Sequence, residues 1–265
     1  MLKKRVITTL WIIPLLIAAV WFDEPLPWFT VLVAIWGLLA VFEFYRLVSA
    51  SKAPPLTYFG LMWTLLFILS PHFDYNFLTP LLLTSTVVLS LIWLLFHPQR
   101  KGAFTGWAWT IAGILYIGWL LSYLVALRGV EGGREWVLFA LFTTFGYDTA
   151  AFFVGRALGK HKLAPNISPG KTWEGAVAGV LGAIIVSLIL TSLLNLPLGY
   201  GWAVVLGLLI SLFGQLGDLV ESLFKRHMVV KDSSHLIPGH GGFLDRIDSV
   251  VFTTIVVYYF VIWAI

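Results

Sequence analysis

The chain of 265 residues is unusually apolar, with 59% hydrophobic and 11% charged residues, whereas soluble domains carry about 25% charged residues. This composition excludes an ordinary soluble enzyme and predicts an integral membrane protein. Cysteine is absent, so the sequence offers no disulfide, thiolate nucleophile or sulfur-bound zinc, and any metal ligand must be oxygen or imidazole. The net charge of +4 comes without a soluble basic domain, which argues against nucleic-acid binding.

Apolar segments bounded by charges, prolines or glycine clusters predict an all-α bundle of transmembrane helices. One spanning helix needs about 20 apolar residues, and the hydrophobic runs supply nine candidates. These candidates cover residues 6–22, 26–48, 56–71, 77–96, 103–127, 135–157, 173–195, 199–224 and 248–265. We divide the chain into N-terminal helices, 1–140, and a more polar C-terminal region, 141–265.

The distribution of lysine and arginine predicts the orientation of the bundle, because these residues collect in cytoplasmic loops. With nine spans, fifteen of the 17 basic residues fall on one side and only Arg128 and Arg134 on the other. We therefore expect a cytoplasmic N-terminus, a C-terminus on the opposite side, and cytosolic loops at 158–172 and 225–247. The basic face suits anionic lipid headgroups or nucleotides. A plasma or inner membrane is expected, with an organelle membrane left open.

The N-terminal helices contain few charged residues. Glu43 and Arg46 lie one helical turn apart near a cytoplasmic helix end. We expect them to pair with each other and reach toward the membrane surface. No chemistry is assigned to this half.

Asp148 lies inside the sixth hydrophobic segment, within Phe145-Gly146-Tyr147-Asp148-Thr149. A carboxylate inside a membrane is costly, which indicates a functional role. The alternative is a hydrogen bond between helices.

A basic loop leads from this segment into the seventh predicted span. Its Gly170-Lys171-Thr172 is not part of a P-loop, because position 165 is proline and a helix rather than a strand precedes the loop. Thr172 is nevertheless placed to cap the next helix, where free N–H groups and Lys171 could receive a phosphate. The alternative is a plain basic loop followed by a capped helix.

Two pairs of acidic residues flank the second basic loop. Asp218 and Glu221 lie three residues apart at the end of the eighth span, and Asp245 and Asp248 have the same spacing at the start of the ninth. Such carboxylates suit a hard divalent cation, since Mg²⁺ is typically held by one or two carboxylates plus substrate phosphates. The alternative is a structural network with the neighbouring basic residues. Those are Lys225, Arg226, Lys231 and Arg246.

The second loop also contains Gly239-His240-Gly241-Gly242. Glycine permits positive φ, so this backbone could fold tightly around an anion. His240 would either donate to a phosphate or fill a turn position.

The segment from Ser222 to Asp248 resembles the signature of the phosphatidate cytidylyltransferase family, the CDP-diacylglycerol synthases. That pattern runs Ser-x-apolar-Lys-Arg, four residues, Lys-Asp, then Pro-x-His-Gly-Gly-apolar-x-Asp-Arg-apolar-Asp. Every element is present: Ser222, Lys225, Arg226, Lys231, Asp232, Pro238, His240, Gly241, Gly242, Asp245, Arg246 and Asp248. Asp148 and the segment from Ser168 to Gly175 resemble a second conserved region of the family.

The resemblance implies an integral membrane nucleotidyltransferase that joins CTP to phosphatidic acid, giving CDP-diacylglycerol and pyrophosphate with Mg²⁺. Members of the family are described with a two-metal centre on the aspartates that match Asp218 and Asp245. Asp148 and Glu221 are further candidate metal ligands. A second cation and a homodimer are left open.

The resemblance also suggests a role for each charged group in joining two polyanions. The phosphate of phosphatidic acid would attack the CTP α-phosphate, and cations would offset the charge of attacker and pyrophosphate. The expected catalytic residues are Asp218, Asp245, Lys225, Arg226, Lys231 and Asp248. The expected substrate-binding residues are Ser168, Lys171, Thr172, Glu174, His240, Gly241, Gly242 and Arg246.

Two other functions are compatible with parts of the sequence. A CTP-dependent polyprenol or phytol kinase resembles this family in its C-terminal layout, although its alcohol acceptor would need a base. An ion or metabolite transporter could use Asp148 and Asp218 along a pathway, but transporters tend to place such sites near the midplane between related halves.

Overall fold

Long apolar helices make up most of the structure, a computed structural model that describes residues 13–22, 27–50, 54–73, 75–97, 102–234, 236 and 241–264. Residues 13–21 are helical. Eight further helices follow: α1 Trp28–Ser49, α2 Thr57–Leu69, α3 Tyr75–Leu95, α4 Ala103–Arg128, α5 Gly133–Leu158, α6 Trp173–Leu193, α7 Tyr200–His227 and α8 Asp248–Ala264.

Within the described residues, six helices are long and apolar enough to cross a membrane, namely α1 and α3 to α7. The predicted class, an all-α multi-pass membrane protein, is confirmed. The count of nine spans is not confirmed. The helix at α2 has 13 residues and α8 has 17, and the first predicted span lies partly outside the described residues.

The prediction overlooked one small β-sheet. Strands β1, Lys162–Ala164, and β2, Ser168–Thr172, pair antiparallel across a turn at residues 165–167. Arg226 Nε on α7 donates to the Ile167 carbonyl in that turn, at 3.1 Å. The strands are too short and too rich in proline, glycine and lysine for an alternating apolar pattern to reveal them.

The chain forms two compact units. The first contains Met1–Gly129 and Asp232–Arg246, and the second contains Val130–Lys231 and Ile247–Ile265. This division differs from the predicted boundary at residue 140. Of the described residues in 232–246, Ser233, Ser234, Phe243 and Leu244 donate hydrogen bonds to Glu43 on α1.

In the first unit, helices α1, α2 and α4 meet at Tyr45, which is fully buried. Its hydroxyl donates to the Thr110 carbonyl at 2.7 Å. Gly60 on α2 and Gly113 on α4 leave space for its ring, which a methyl group at either position would strike. The α4 helix widens into a π segment at Ile114–Trp119 immediately after this contact.

In the second unit, small residues bring helices α5, α6 and α7 close together. A methyl group at Gly175 on α6 would lie 2.8 Å from the Ala151 carbonyl of α5. One at Gly207 on α7 would lie 2.8 Å from the Ile184 backbone of α6. Such contacts allow helix backbones to pack with little side chain between them.

The expected pairing of Glu43 with Arg46 is wrong. Neither the described ion pairs nor the described hydrogen bonds join these two side chains, and Glu43 is buried with 2% of its surface exposed. Its carboxylate instead accepts hydrogen bonds from the loop that carries Asp245. The loop is nearly 200 residues away in sequence, so local spacing gave no indication of this contact.

Candidate active site

The second unit contains a cavity of about 580 Å³ formed by α5, the β-hairpin, the start of α6 and the end of α7. Helix α5 contributes Asp148 and residues three, four, seven and eight positions further on, which share one helical face. The last of these is Arg156. The hairpin contributes Ser168 and Gly170, and α7 contributes Asp218.

Charges of both signs line this cavity. Its cations are Arg156, Lys162 and Lys171, and its carboxylates are Asp148 and Asp218. Such a lining can bind a polyanion directly and can also hold a cation that accompanies it.

Asp218 is held from two sides. Its Oδ2 lies 2.7 Å from Lys171 Nζ, and Ser222 Oγ donates to Oδ1 at 3.3 Å. The ion-pairing lysine comes from the hairpin rather than from the basic residues at the end of α7 that sequence proximity suggested. The two side chains remain partly exposed to the cavity, at 19% for Lys171 and 29% for Asp218.

The predicted cap at Thr172 is confirmed. This residue is the N-cap of α6, and its side-chain oxygen accepts a hydrogen bond from Gly175 N at 3.2 Å. Thr172 is itself buried and contributes to the cavity wall. The start of α6 therefore lies at the cavity, where the positive end of the helix dipole favours an anion.

Glu174 faces the hairpin rather than the cavity. Its Oε1 lies 2.7 Å from His161 Nδ1, and both carboxylate oxygens lie 3.2 Å from the His161 amide. Glu174 thus ties the first residues after α5 to the first turn of α6. The contact fixes the hairpin that carries Lys171.

The residues at the end of α7 are mostly engaged with one another or with the backbone. Glu221 is fully buried and forms an ion pair with Lys225 one turn later. Arg226 donates to the carbonyls of Ile167 and Val230. Glu221, Lys225 and Arg226 were predicted to be catalytic or metal-binding. None of the three is among the described residues that line the cavity.

Tyr147 on α5 lies in an acidic part of the second unit, near Asp148, Asp218 and Asp248. Its hydroxyl lies 3.5 Å from Gln215 Oε1. Asp248 begins α8, where its Oδ1 accepts from Ser249 N at 2.7 Å. The second unit therefore concentrates negative charge beside the Lys171–Asp218 pair.

Asp245 lies in the first unit, where its own loop wraps around its carboxylate. Its Oδ2 accepts from Gly242 N at 2.7 Å and from Ser233 N at 3.0 Å, and Ser233 Oγ lies 3.0 Å from the same oxygen. Gly241 has a φ of +82°, a conformation that side chains disfavour. Gly241 is thus required by the turn itself, while His240 lies outside the described residues.

The model of the Cytidylyltransferase family matches residues 3–263. The chain belongs to the Cytidylyltransferase family. The phosphatidate cytidylyltransferase of Bacillus subtilis (strain 168) is 34% identical over 244 residues, 87% of each chain. That of Staphylococcus saprophyticus is 37% identical over 219 residues, 81% of this chain and 84% of the relative. That of Brucella suis biovar 1 is 45% identical over 157 residues, 59% and 58% of the two chains.

Family membership confirms the resemblance drawn from Ser222–Asp248 and identifies a nucleotidyltransferase. These relatives are named phosphatidate cytidylyltransferase, which favours cytidylyl transfer over the kinase and transporter alternatives. The metal assignment stays a prediction. Among the described residues, no group of three histidine, aspartate or glutamate side chains could hold a metal ion by itself, and Asp218 and Asp245 belong to different compact units.

Sequence reasoning missed two cations and one acid in this cytidylyltransferase. Arg156 and Lys162 line the cavity, and Glu43 holds the Asp245 loop. Helical spacing from Asp148 would have found Arg156. The position of Lys162 at the cavity depends on the hairpin, and the role of Glu43 depends on a long-range contact. Local sequence spacing therefore indicated neither role.

Proposed function

We propose that the chain transfers the cytidylyl group of CTP to phosphatidic acid, forming CDP-diacylglycerol and pyrophosphate. The names of the relatives support this reaction. The structural observation that carries it is the cavity at the start of α6, which three cations and two carboxylates line. That combination suits a polyphosphate that arrives with a cation.

In this proposal the CTP phosphates bind at Lys171, Arg156 and Lys162, with Ser168 and the first turn of α6 as further donors. Lys171 has three N–H donors, so it can bind a phosphate while its Nζ stays near Asp218 Oδ2, which lies 2.7 Å away. A phosphate at Lys171 would therefore lie beside the Asp218 carboxylate. A cation held by Asp218 would then also be near that phosphate.

The reaction needs alignment and charge neutralisation more than a strong base. A phosphate monoester has a second pKa of about 6, so phosphatidic acid presents an ionised oxygen near neutral pH. That oxygen attacks the CTP α-phosphorus while the bond from the α-phosphorus to the bridging oxygen breaks. The electron pair leaves on pyrophosphate. The cavity cations offset the charge on both the attacking and the leaving groups.

Asp218 and Asp245 are the proposed Mg²⁺ ligands. Their oxygen donors suit this hard cation, and Asp218 is exposed to the cavity. A bound Mg²⁺ would neutralise developing phosphate charge as a Lewis acid. Asp148 lines the same cavity and is a candidate for a second cation, whereas Glu221 is buried against Lys225 and is a poorer candidate.

The finer topology also belongs to this proposal. It comprises nine spans, a cytoplasmic N-terminus and a site that opens to the cytosol. The one-sided distribution of basic residues supports this orientation, and bacterial relatives fit a plasma membrane.

The decisive experiment compares CTP labelled at the α-phosphate with CTP labelled at the γ-phosphate. Purified protein in detergent would receive Mg²⁺, phosphatidic acid and one of the two nucleotides. We expect α-label in the lipid and γ-label in pyrophosphate. Label from the γ-phosphate in the lipid would contradict the proposal and indicate a kinase.

A further inference from the structure

One buried carboxylate, that of Glu43 on α1, holds both ends of the loop that carries Asp245. Glu43 is 2% exposed, and four donors face its two oxygens. Oε1 accepts from Ser234 Oγ at 2.6 Å and Phe243 N at 3.0 Å, and Oε2 accepts from Ser233 Oγ at 2.8 Å and Leu244 N at 3.0 Å. A single side chain thereby joins residues 233–234 to residues 243–244.

The donor set requires a carboxylate at this position. A backbone N–H can only donate, and one of them reaches each oxygen of Glu43. Both oxygens must therefore be acceptors. Glutamine would turn an NH₂ group toward either Phe243 N or Leu244 N, which loses one hydrogen bond and places two donors against each other.

Ser233 connects Glu43 to Asp245. Its hydroxyl lies 2.8 Å from Glu43 Oε2 and 3.0 Å from Asp245 Oδ2. A hydroxyl has one proton and can donate to one carboxylate at a time. The Ser233 amide, also 3.0 Å from Asp245 Oδ2, maintains the second contact while the hydroxyl serves Glu43.

The neighbouring residues leave room for this arrangement and for little else. A methyl group at Gly242 would collide with Ser233 Oγ and the Glu43 carboxylate. Trp36 lies two helical turns before Glu43 and therefore on the same face of α1. It makes a second contact with the Asp245 loop. Its Nε1 donates to the Phe243 carbonyl at 3.2 Å, and its ring meets the Phe243 ring edge-on at a centroid distance of 5.5 Å.

We propose that Glu43 is a positioning residue for cytidylyl transfer, acting through Ser233 on Asp245. The inference rests on the proposed function, in which Asp245 touches the reacting phosphates or their cation. It assigns the N-terminal helices a share in turnover: α1 supplies the surface on which the Asp245 loop takes its shape. Glu43 itself touches no substrate.

The test compares Glu43→Gln with Tyr45→Phe in the full-length protein in detergent. Tyr45 is a matched control, since it is buried on the same helix and its hydroxyl donates to the Thr110 carbonyl of α4 rather than to the loop. For Glu43→Gln we expect kcat for α-label transfer to fall on the order of 10²-fold, as for a misplaced reacting group. The KM for CTP should change by less than about threefold. Tyr45→Phe should keep kcat within about twofold.

A double-variant cycle tests the connection through Ser233. If Glu43 acts through this hydroxyl, Glu43→Gln combined with Ser233→Ala should be no slower than the slower single variant. Independent multiplication of the two losses would overturn the route through Ser233. A wild-type kcat in Glu43→Gln, or an equal kcat loss in Tyr45→Phe at equal thermal stability, would overturn the positioning role.

Hydrogen exchange separates this inference from the proposed function. If the wild-type protein transferred no α-label, the reaction would be wrong, yet loop anchoring could still be measured. We expect the amides of residues 242–244 to exchange at least tenfold faster in Glu43→Gln than in the wild type, and no faster in Tyr45→Phe. Equal exchange in wild type and Glu43→Gln would overturn the anchoring itself.

Discussion

The two compact units differ in how well the roles of their polar residues can be predicted from the sequence. In the second unit, Asp148, Lys171 and Asp218 stand in or beside apolar segments and line one cavity. In the first unit, an almost wholly apolar set of helices contributes Glu43, which binds a loop 190 residues away. The comparison shows that a carboxylate with a structural role can lie in the most apolar helices of a membrane enzyme.

The largest expected effect comes from removing one carboxylate in each unit. Asp218→Asn and Asp245→Asn should each reduce α-label transfer by at least about 10³-fold, because each removes charge that the transition state needs. The assay is initial rate in detergent, with thermal stability measured in parallel. A near-normal rate in either folded variant would reject the metal assignment for that unit.

Two glycine-to-alanine variants test whether the shape of the Asp245 loop in the first unit matters for turnover. Gly242→Ala should lower the rate by about tenfold or more, because a new methyl group strikes Ser233 and Glu43 and such overpacking typically costs 1 to 3 kcal/mol. Gly201→Ala is the control, since a methyl group there meets nothing within 4 Å. Equal rates in the two variants would show that the loop shape does not limit turnover.

The parts of the site that sequence reasoning found are those encoded locally. Asp148 was visible as a charge within an apolar segment, and Thr172 as a cap before a helix. Both lie at the cavity as described residues of the second unit. The hydrogen bond from Arg226 to the Ile167 carbonyl could not be predicted, because it depends on the β-hairpin and the sequence pattern did not predict that hairpin.

The same limit applies to the fold. The length of the apolar runs located the helices, because a helix of about 20 apolar residues can cross a membrane with its own backbone hydrogen bonds satisfied. It could not place Glu43, since the choice between Arg46 and the loop depends on how distant segments pack. It also assigned residues 232–246 to the C-terminal region, whereas they belong to the first unit.

Within the second unit, Lys171→Ala should raise the KM for CTP by about tenfold, which corresponds to 1.4 kcal/mol of binding free energy. The lysine lines the cavity and would be lost as a phosphate partner. Lys160→Ala is the matched control, because Lys160 belongs to the same segment but is exposed outside the cavity lining. An unchanged CTP dependence in Lys171→Ala would remove the hairpin from the nucleotide site.

The smallest expected effect concerns the support of that hairpin. His161→Ala removes the side-chain contact with Glu174, yet the His161 amide still donates to the same carboxylate. The imidazole is largely exposed, at 78%, and exposed charge pairs contribute little. We therefore expect the KM for CTP to rise by less than about twofold. A rise as large as that of Lys171→Ala would mean that His161 contacts the nucleotide directly, and would extend the phosphate site beyond the cavity to the first residues after α5.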